Sequence, residues 1–178
     1  MTDEITRLLN AAPQRTAERP GKSHVRVGIA LILLLLYVGV VLAMTMSPTP
    51  LDRGYASSID KVLGVLHRNG IPEWFGYSKL EFTANIAMFV PLGFLVGLAL
   101  PTRVAWLGLF LLPAFSGGIE LTQAAMLSQR FATVEDVIAN SVGGWCGLLA
   151  AFIIRAMVHS RDEKVIAQAE WDLRHRRR

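Results

Sequence analysis

A small set of carboxylate, amide and guanidinium side chains lies at the ends of long apolar stretches in this sequence. Glu120 and Gln123 are three residues apart, and Asp136 and Asn140 are four apart, so each pair shares one face of a helix. A carboxylate can act as a general base, an amide can bind polar atoms, and an arginine can grip a phosphate or a carboxylate. Such side chains are costly within a membrane, and this cost makes them candidate site residues. The ligand-binding candidates are Asn85, Glu120, Gln123, Arg130, Asp136 and Asn140.

The chain that must position these residues is too apolar for an ordinary soluble domain. Its 178 residues are 52% hydrophobic and 18% charged, with a mean hydropathy of +0.40, whereas soluble domains are about 25% charged. The length corresponds to about one domain. The single cysteine, Cys146, excludes an intramolecular disulfide, and no Cys/His cluster is present. We therefore predict a membrane protein with neither a metal site nor a cofactor.

Four stretches are long and apolar enough to cross a bilayer, which requires about 20 residues in a helix. They show neither the alternation of a barrel strand nor the polar face of a surface helix. In hydrocarbon, only a helix satisfies its own backbone donors and acceptors within one segment. The sequence therefore predicts an all-α, polytopic membrane protein with four transmembrane helices. They are predicted at about 27–46, 82–100, 104–124 and 137–156.

The basic residues predict the orientation of these spans. Thirteen of the 18 Lys and Arg residues lie in the leader, the second connection and the tail, and five lie in the first and third connections. By the positive-inside rule, both termini are cytoplasmic and the protein is a multi-pass protein of the cell membrane. The predicted division is a basic leader 1–26, a membrane domain 27–158 and a basic tail 159–178. No nucleic-acid partner is expected, because no aromatic platform or nucleic-acid motif accompanies the basic tail.

The first connection, residues 47–81, is the predicted extracytoplasmic loop. Its apolar residues Ile59, Val62, Leu63 and Leu66 have helical spacing, which predicts an amphipathic segment on the membrane surface. The same topology places all six ligand-binding candidates at the outer membrane surface.

Glycines predict close helix packing near the candidates. Gly93 and Gly97 are four residues apart in the second span, and so are Gly143 and Gly147 in the fourth, with Gly144 beside them. Small residues at this spacing allow helix backbones to approach each other. Pro91 in the second span removes a backbone hydrogen bond and is expected to kink that helix.

Three interpretations of the polar residues stay open from the sequence. In the first, they form an outer-face pocket in which Arg130 grips an anionic group and the amides bind headgroup or sugar atoms. In the second, the protein is a membrane enzyme acting on an outer-leaflet lipid or cell-wall precursor, with Glu120 or Asp136 as the general base. In the third, ion pairs and a helix cap make the set purely structural in a subunit without a ligand.

The motifs around these residues resemble the VanZ-like family of bacterial integral membrane proteins. Residues 85–94 follow the pattern N-x-x-x-F-x-P-x-G-F, and Glu120 opens an E-x-x-Q pattern that is followed by Arg130 and by D-x-x-x-N-x-x-G from Asp136. One departure concerns Lys79, which many relatives pair with a histidine three residues later and which here precedes Phe82 at that offset.

The resemblance implies a link to the cell envelope and to glycopeptide tolerance of the teicoplanin type, and it supplies no established reaction. The expected partners are membrane lipids and a lipid-linked cell-wall precursor or glycopeptide-like ligand.

Overall fold

The computed structural model describes residues 24–46, 56–126 and 133–175, and within them every regular element is helical. Four helices are long and apolar enough to cross a membrane, which confirms the predicted all-α class and the number of candidate spans. A short amphipathic helix and one 3₁₀ turn complete the described chain. In chain order, the elements are α1 (His24–Thr45), α2 (Ala56–Arg68), α3 (Tyr77–Ala99), η1 (Ala105–Leu107), α4 (Gly108–Met126) and α5 (Val134–His175).

The last helix is much longer than the apolar stretch that predicted it. Helix α5 has 42 residues, about 63 Å at 1.5 Å per residue, which is roughly twice the hydrocarbon thickness of a bilayer. No Gly or Pro interrupts it after Gly147. Two i,i+4 side-chain pairs stabilise its second half. His159 Nε2 lies 3.3 Å from Glu163 Oε1, and Arg174 Nη2 lies 3.3 Å from Glu170 Oε2. The predicted boundary near residue 156 therefore marks the end of the apolar part, and the helix continues beyond it.

Helix α2 occupies part of the predicted extracytoplasmic loop. Val62 and Val65 on it are exposed, and Gly70 follows its end with a φ of +95°, a conformation that glycine adopts without strain. A ring nitrogen of His67 lies 3.0 Å from the Phe75 carbonyl oxygen. This contact connects the end of α2 to the turn that precedes α3.

Helices α3 and α5 run parallel and approach each other through glycines. A methyl group added to Gly93 would lie 2.6 Å from the carbonyl carbon of Gly144, and one added to Gly147 would lie 2.7 Å from the Phe94 nitrogen. A methyl group on Gly97 would lie 2.6 Å from the Ala151 Cβ. These distances are shorter than normal van der Waals contacts, so the two backbones touch only because the side chains are absent.

Helix α4 packs antiparallel to α5 with a constant register. In three facing pairs the sum of the two residue numbers is the same, so successive turns of α4 face successive turns of α5. This register continues from apolar pairs into a polar pair. The facing pairs are Gly108 with Leu148, Leu112 with Gly144, and Ser116 with Asn140.

Helix α1 packs on α3 and completes the bundle. The Tyr37 hydroxyl donates a 2.9 Å hydrogen bond to the Met88 carbonyl. Pro91 lies inside α3, and the helix continues through it although proline has no N–H to donate. The buried apolar core between the helices contains Val41, Phe89, Leu92, Leu112, Ile119 and Leu148.

The bundle has a polar end and an opposite end, which is named here the Arg155 end. The polar end contains Asn85, Glu120 and Asp136. The Arg155 end contains the start of α1, residues 100–107, and Arg155 on α5. Because successive spans alternate in direction, the second half of α5 leaves the bundle at the Arg155 end.

Candidate functional site

Asp136 is the centre of the hydrogen bonds at the polar end. Asn85 Nδ2 donates to Asp136 Oδ1 at 2.6 Å, which joins α3 to α5. The Thr133 hydroxyl donates to Asp136 Oδ2 at 2.7 Å, and the Asp136 backbone N–H donates back to Thr133 Oγ1 at 3.1 Å. The bond from the Asp136 N–H to Thr133 Oγ1 is an N-cap at the start of α5, and the bond between the two side chains supports it. The threonine therefore caps the helix, and Asp136 lies one turn inside it.

The same threonine also contacts the second carboxylate. The Thr133 backbone N–H donates to Glu120 Oε2 at 3.1 Å, and Glu120 is buried between helices with 7% of its surface exposed. Glu120 and Asp136 are 16 residues apart in the sequence, and both bind Thr133. Carboxylates from α4 and α5 therefore contact the same threonine.

A second polar layer lies one helical turn deeper in the bundle. Asn140 Nδ2 donates a 2.9 Å hydrogen bond to Ser116 Oγ, and both side chains are buried. Asn140 Oδ1 is buried and accepts no hydrogen bond from the part of the chain that the structure describes. A buried acceptor without a donor costs about 1–3 kcal/mol. The layer therefore has a polar atom that a bound donor would satisfy.

Gln123 is buried but contacts a different helix from the other candidates. Its Nε2 donates a 2.7 Å hydrogen bond to the Thr45 carbonyl, which belongs to the last turn of α1. Carbonyls of a last helical turn lack partners within their own helix. Gln123 therefore connects α4 to α1 beside the carboxylates.

Arg130 lies outside the described residues. Its predicted role in gripping an anionic group stays a prediction.

Three contributors to the polar end were not among the sequence candidates, namely Ser116, Thr133 and Thr45. Thr133 could have been found from its spacing to Asp136, because a Thr followed three residues later by an acid is typical of a helix start. Ser116 lies four residues before Glu120 and so shares its face. No sequence signal singles out Thr45, which contributes only a backbone carbonyl.

The described groups that converge at the polar end are rich in hydrogen-bond acceptors. Two carboxylates, one threonine hydroxyl and the free carbonyl oxygen of Asn140 can accept hydrogen bonds from hydroxyl, amide or ammonium groups. No group of three or more His, Cys, Asp or Glu side chains in the described ranges is arranged to hold a metal ion. An arrangement of this kind can accept hydrogen bonds from donor groups.

A groove lies at the opposite end of the bundle. It has a volume of about 930 Å³ and is bordered by α1, α3 and α5. Arg155 lines it, and Nη1 of this residue donates to the Gly97 carbonyl and, at 2.8 Å, to the Leu100 carbonyl. In the sequence, Arg155 contributes only to the predicted topology.

Four apolar helices that surround an interior polar cluster are typical of a multi-pass membrane protein. A family comparison supports this class directly, because the VanZ/LLP1 family matches residues 30–155. This range covers most of the chain and includes all six ligand-binding candidates. The chain belongs to the VanZ/LLP1 family, as the motif resemblance predicted. Comparisons with curated proteins and with solved structures find no match.

Proposed function

We propose that this membrane protein binds a donor-rich group of a lipid-linked or glycopeptide-like ligand at its polar end. The observation that carries the proposal is the buried, unpaired Oδ1 of Asn140. It lies about 6 Å, one helical turn, beneath Asp136 on the same helix. A hydroxyl or amine that enters between the helices would donate to this oxygen and offset the cost of its burial.

The two carboxylates form the entrance to this position. Thr133 holds Glu120 and Asp136 at fixed positions before any ligand arrives. Prepositioned acceptors lose little conformational entropy on binding, and charge-assisted hydrogen bonds are stronger than neutral ones. In this proposal, Arg130 in the connection between α4 and α5 binds a phosphate or carboxylate of the same ligand.

The orientation that the basic residues predict places this site at the outer leaflet. Lipid-linked cell-wall precursors and glycopeptides are rich in sugar hydroxyls and in amide groups, which are the donors that the site accepts. In this proposal, the VanZ-type link to teicoplanin tolerance follows from binding at this site in the cell envelope.

The test compares two buried polar residues on α5. Asn140→Leu removes the unpaired acceptor and retains the volume, whereas Ser141→Ala removes a hydroxyl that donates to the Val137 carbonyl of its own helix at 2.6 Å. Each protein is reconstituted in nanodiscs, and binding of teicoplanin and of an undecaprenyl-pyrophosphate disaccharide is titrated by thermophoresis. We expect Asn140→Leu to weaken binding of one probe about tenfold, the loss of one hydrogen bond to a buried group, with Ser141→Ala unchanged.

Thermal unfolding of the same samples separates binding from stability. Asn140→Leu also removes the hydrogen bond from Asn140 Nδ2 to Ser116 Oγ, so the melting temperature should fall whether or not the residue binds a ligand, and the affinities decide the test. If Asn140→Leu lowers the melting temperature and leaves both affinities intact, the polar end is structural and the proposal is wrong. Absence of binding of either probe to the unaltered protein excludes this ligand class.

A further inference from the structure

The groove at the Arg155 end lies too far from the polar end to belong to the same site. Asn140 and Arg155 are 15 residues apart on α5, about 22 Å along the helix. The groove is lined by residues of α1, α3 and α5 and holds about 930 Å³. It therefore requires its own explanation.

Arg155 presents a fixed cationic group in this groove. Its Nη1 donates to two carbonyls at the end of α3, those of Gly97 and Leu100, and these bonds hold the guanidinium in place. Its Nε and Nη2 donate no hydrogen bond to any described residue. A guanidinium that is already positioned and has donors to spare is suited to binding a phosphate in a bidentate manner. The hydroxyl of Thr102, which also lines the groove, can supply a further donor.

On the bilayer side of Arg155, the groove is apolar. Val27, Ala30, Leu98 and Phe152 line this part, and all four belong to spanning helices. An acyl chain fits such a wall, but it gains little by leaving the surrounding lipid, which is equally apolar. Selectivity for one lipid must therefore come from the headgroup.

Away from the bilayer, the groove ends at a carboxylate. Asp162 lies seven residues beyond Arg155 on α5, about 10 Å along the helix, and lines the mouth of the groove. It forms no ion pair with a described residue, and both positions four residues away on its helix, Val158 and Ile166, are uncharged. His159 also lines the groove, and its Nε2 lies 3.3 Å from Glu163 Oε1. A second negative charge is disfavoured at this mouth, whereas an ammonium group is attracted.

The order of groups along the groove is thus apolar wall, guanidinium and carboxylate. A phospholipid with an amine in its headgroup carries the complementary order of acyl chain, phosphate and ammonium. We propose that this groove is a binding site for an aminophospholipid of the ethanolamine type, in the leaflet at the Arg155 end. The phosphate binds Nε and Nη2 of Arg155, and the ammonium donates to Asp162. This site is independent of the ligand proposed for the polar end.

The experiment measures lipid preference on the full chain. The protein is purified in a mild detergent, and dioleoyl phosphatidylethanolamine and dioleoyl phosphatidylglycerol, which share phosphate and chains, are titrated and counted as adducts by native mass spectrometry. We expect ethanolamine lipid to bind about tenfold more tightly than glycerol lipid, since one charge-assisted hydrogen bond distinguishes them. Asp162→Asn should abolish this preference, and Asp172→Asn, an exposed acid on the same helix outside the groove, should keep it.

Two further outcomes bear on the proposal. Thr102→Val should weaken both lipids to a similar degree, because its hydroxyl is assigned to the shared phosphate. Arg155 is not used for the test, since its loss also removes bonds to α3. Equal or tighter binding of the glycerol lipid to the unaltered protein would overturn the assignment. Absence of any retained lipid would overturn it as well and would favour residues 1–23 of the chain as the occupant.

Discussion

Thr133 has more influence at the polar end than its small side chain suggests. Its hydroxyl caps α5 through Asp136, and its backbone N–H binds Glu120. One residue therefore determines both where the last helix begins and how far apart the two carboxylates lie.

Replacement of Thr133 tests this influence at the scale of one residue. Thr133→Val removes the cap hydroxyl and should lower the free energy of unfolding by about 1–2 kcal/mol, while Thr133→Ser should retain it. Thr122→Val is the matched control, because the Thr122 hydroxyl is exposed and donates only to the Gly118 carbonyl of its own helix. Thermal unfolding in detergent measures all three. Equal melting temperatures for Thr133→Val and Thr122→Val would contradict the capping role.

The residue scale also shows what a sequence can and cannot predict. The three-residue spacing of Thr133 and Asp136 is local and visible in the sequence. The bond between Asn85 and Asp136 joins residues 51 apart and depends on the register of α3 against α5. The predicted topology placed Asn85 and Asp136 in one polar group. Their direct contact and the burial of Asn140 depend on the three-dimensional packing and could not be predicted.

At the scale of elements, the contact between α3 and α5 depends on which face each glycine occupies. Gly93 and Gly147 lie against backbone atoms of the partner helix, but Gly117 and Gly118 on α4 have nothing within 4 Å of an added methyl group. The four-residue spacing of the glycines within α3 and within α5 predicted that these two helices approach closely. In the sequence, Gly117 and Gly118 look equally suited to helix packing. The orientation of α4 shows that neither contacts another helix.

This difference predicts opposite signs for one substitution. Gly147→Ala places a methyl group against the Val90 carbonyl and the Phe94 nitrogen, and overpacking of this kind costs about 1–3 kcal/mol. Gly118→Ala meets open space and should stabilise the protein by up to about 1 kcal/mol, because alanine favours a helix more than glycine does. Melting temperatures in the same detergent compare them. A stabilised Gly147→Ala variant would show that α3 and α5 are not in contact there.

At the scale of the whole molecule, the polar end and the groove beside Arg155 lie at opposite ends of the helix bundle. Carboxylates and amides gather at the polar end, whereas Arg155 and the second half of α5, which carries both acids and bases, lie at the other end. The apolar stretches were sufficient to predict the four spans. The length of α5 was not predicted, because its second half is polar and hydropathy does not report helices outside a membrane.

Cysteine labelling tests which end of the molecule faces the cytoplasm. The native Cys146 is exposed and is first replaced by Ala. Asn69→Cys after α2 and Ser160→Cys on α5 then provide one exposed position at each end. The positive-inside rule predicts that a membrane-impermeant maleimide labels Asn69→Cys in intact cells and labels Ser160→Cys only after permeabilisation. The reverse pattern would place the polar end in the cytoplasm. Binding of an outer-leaflet ligand would then be excluded, whereas the lipid groove would keep its chemistry and change its leaflet.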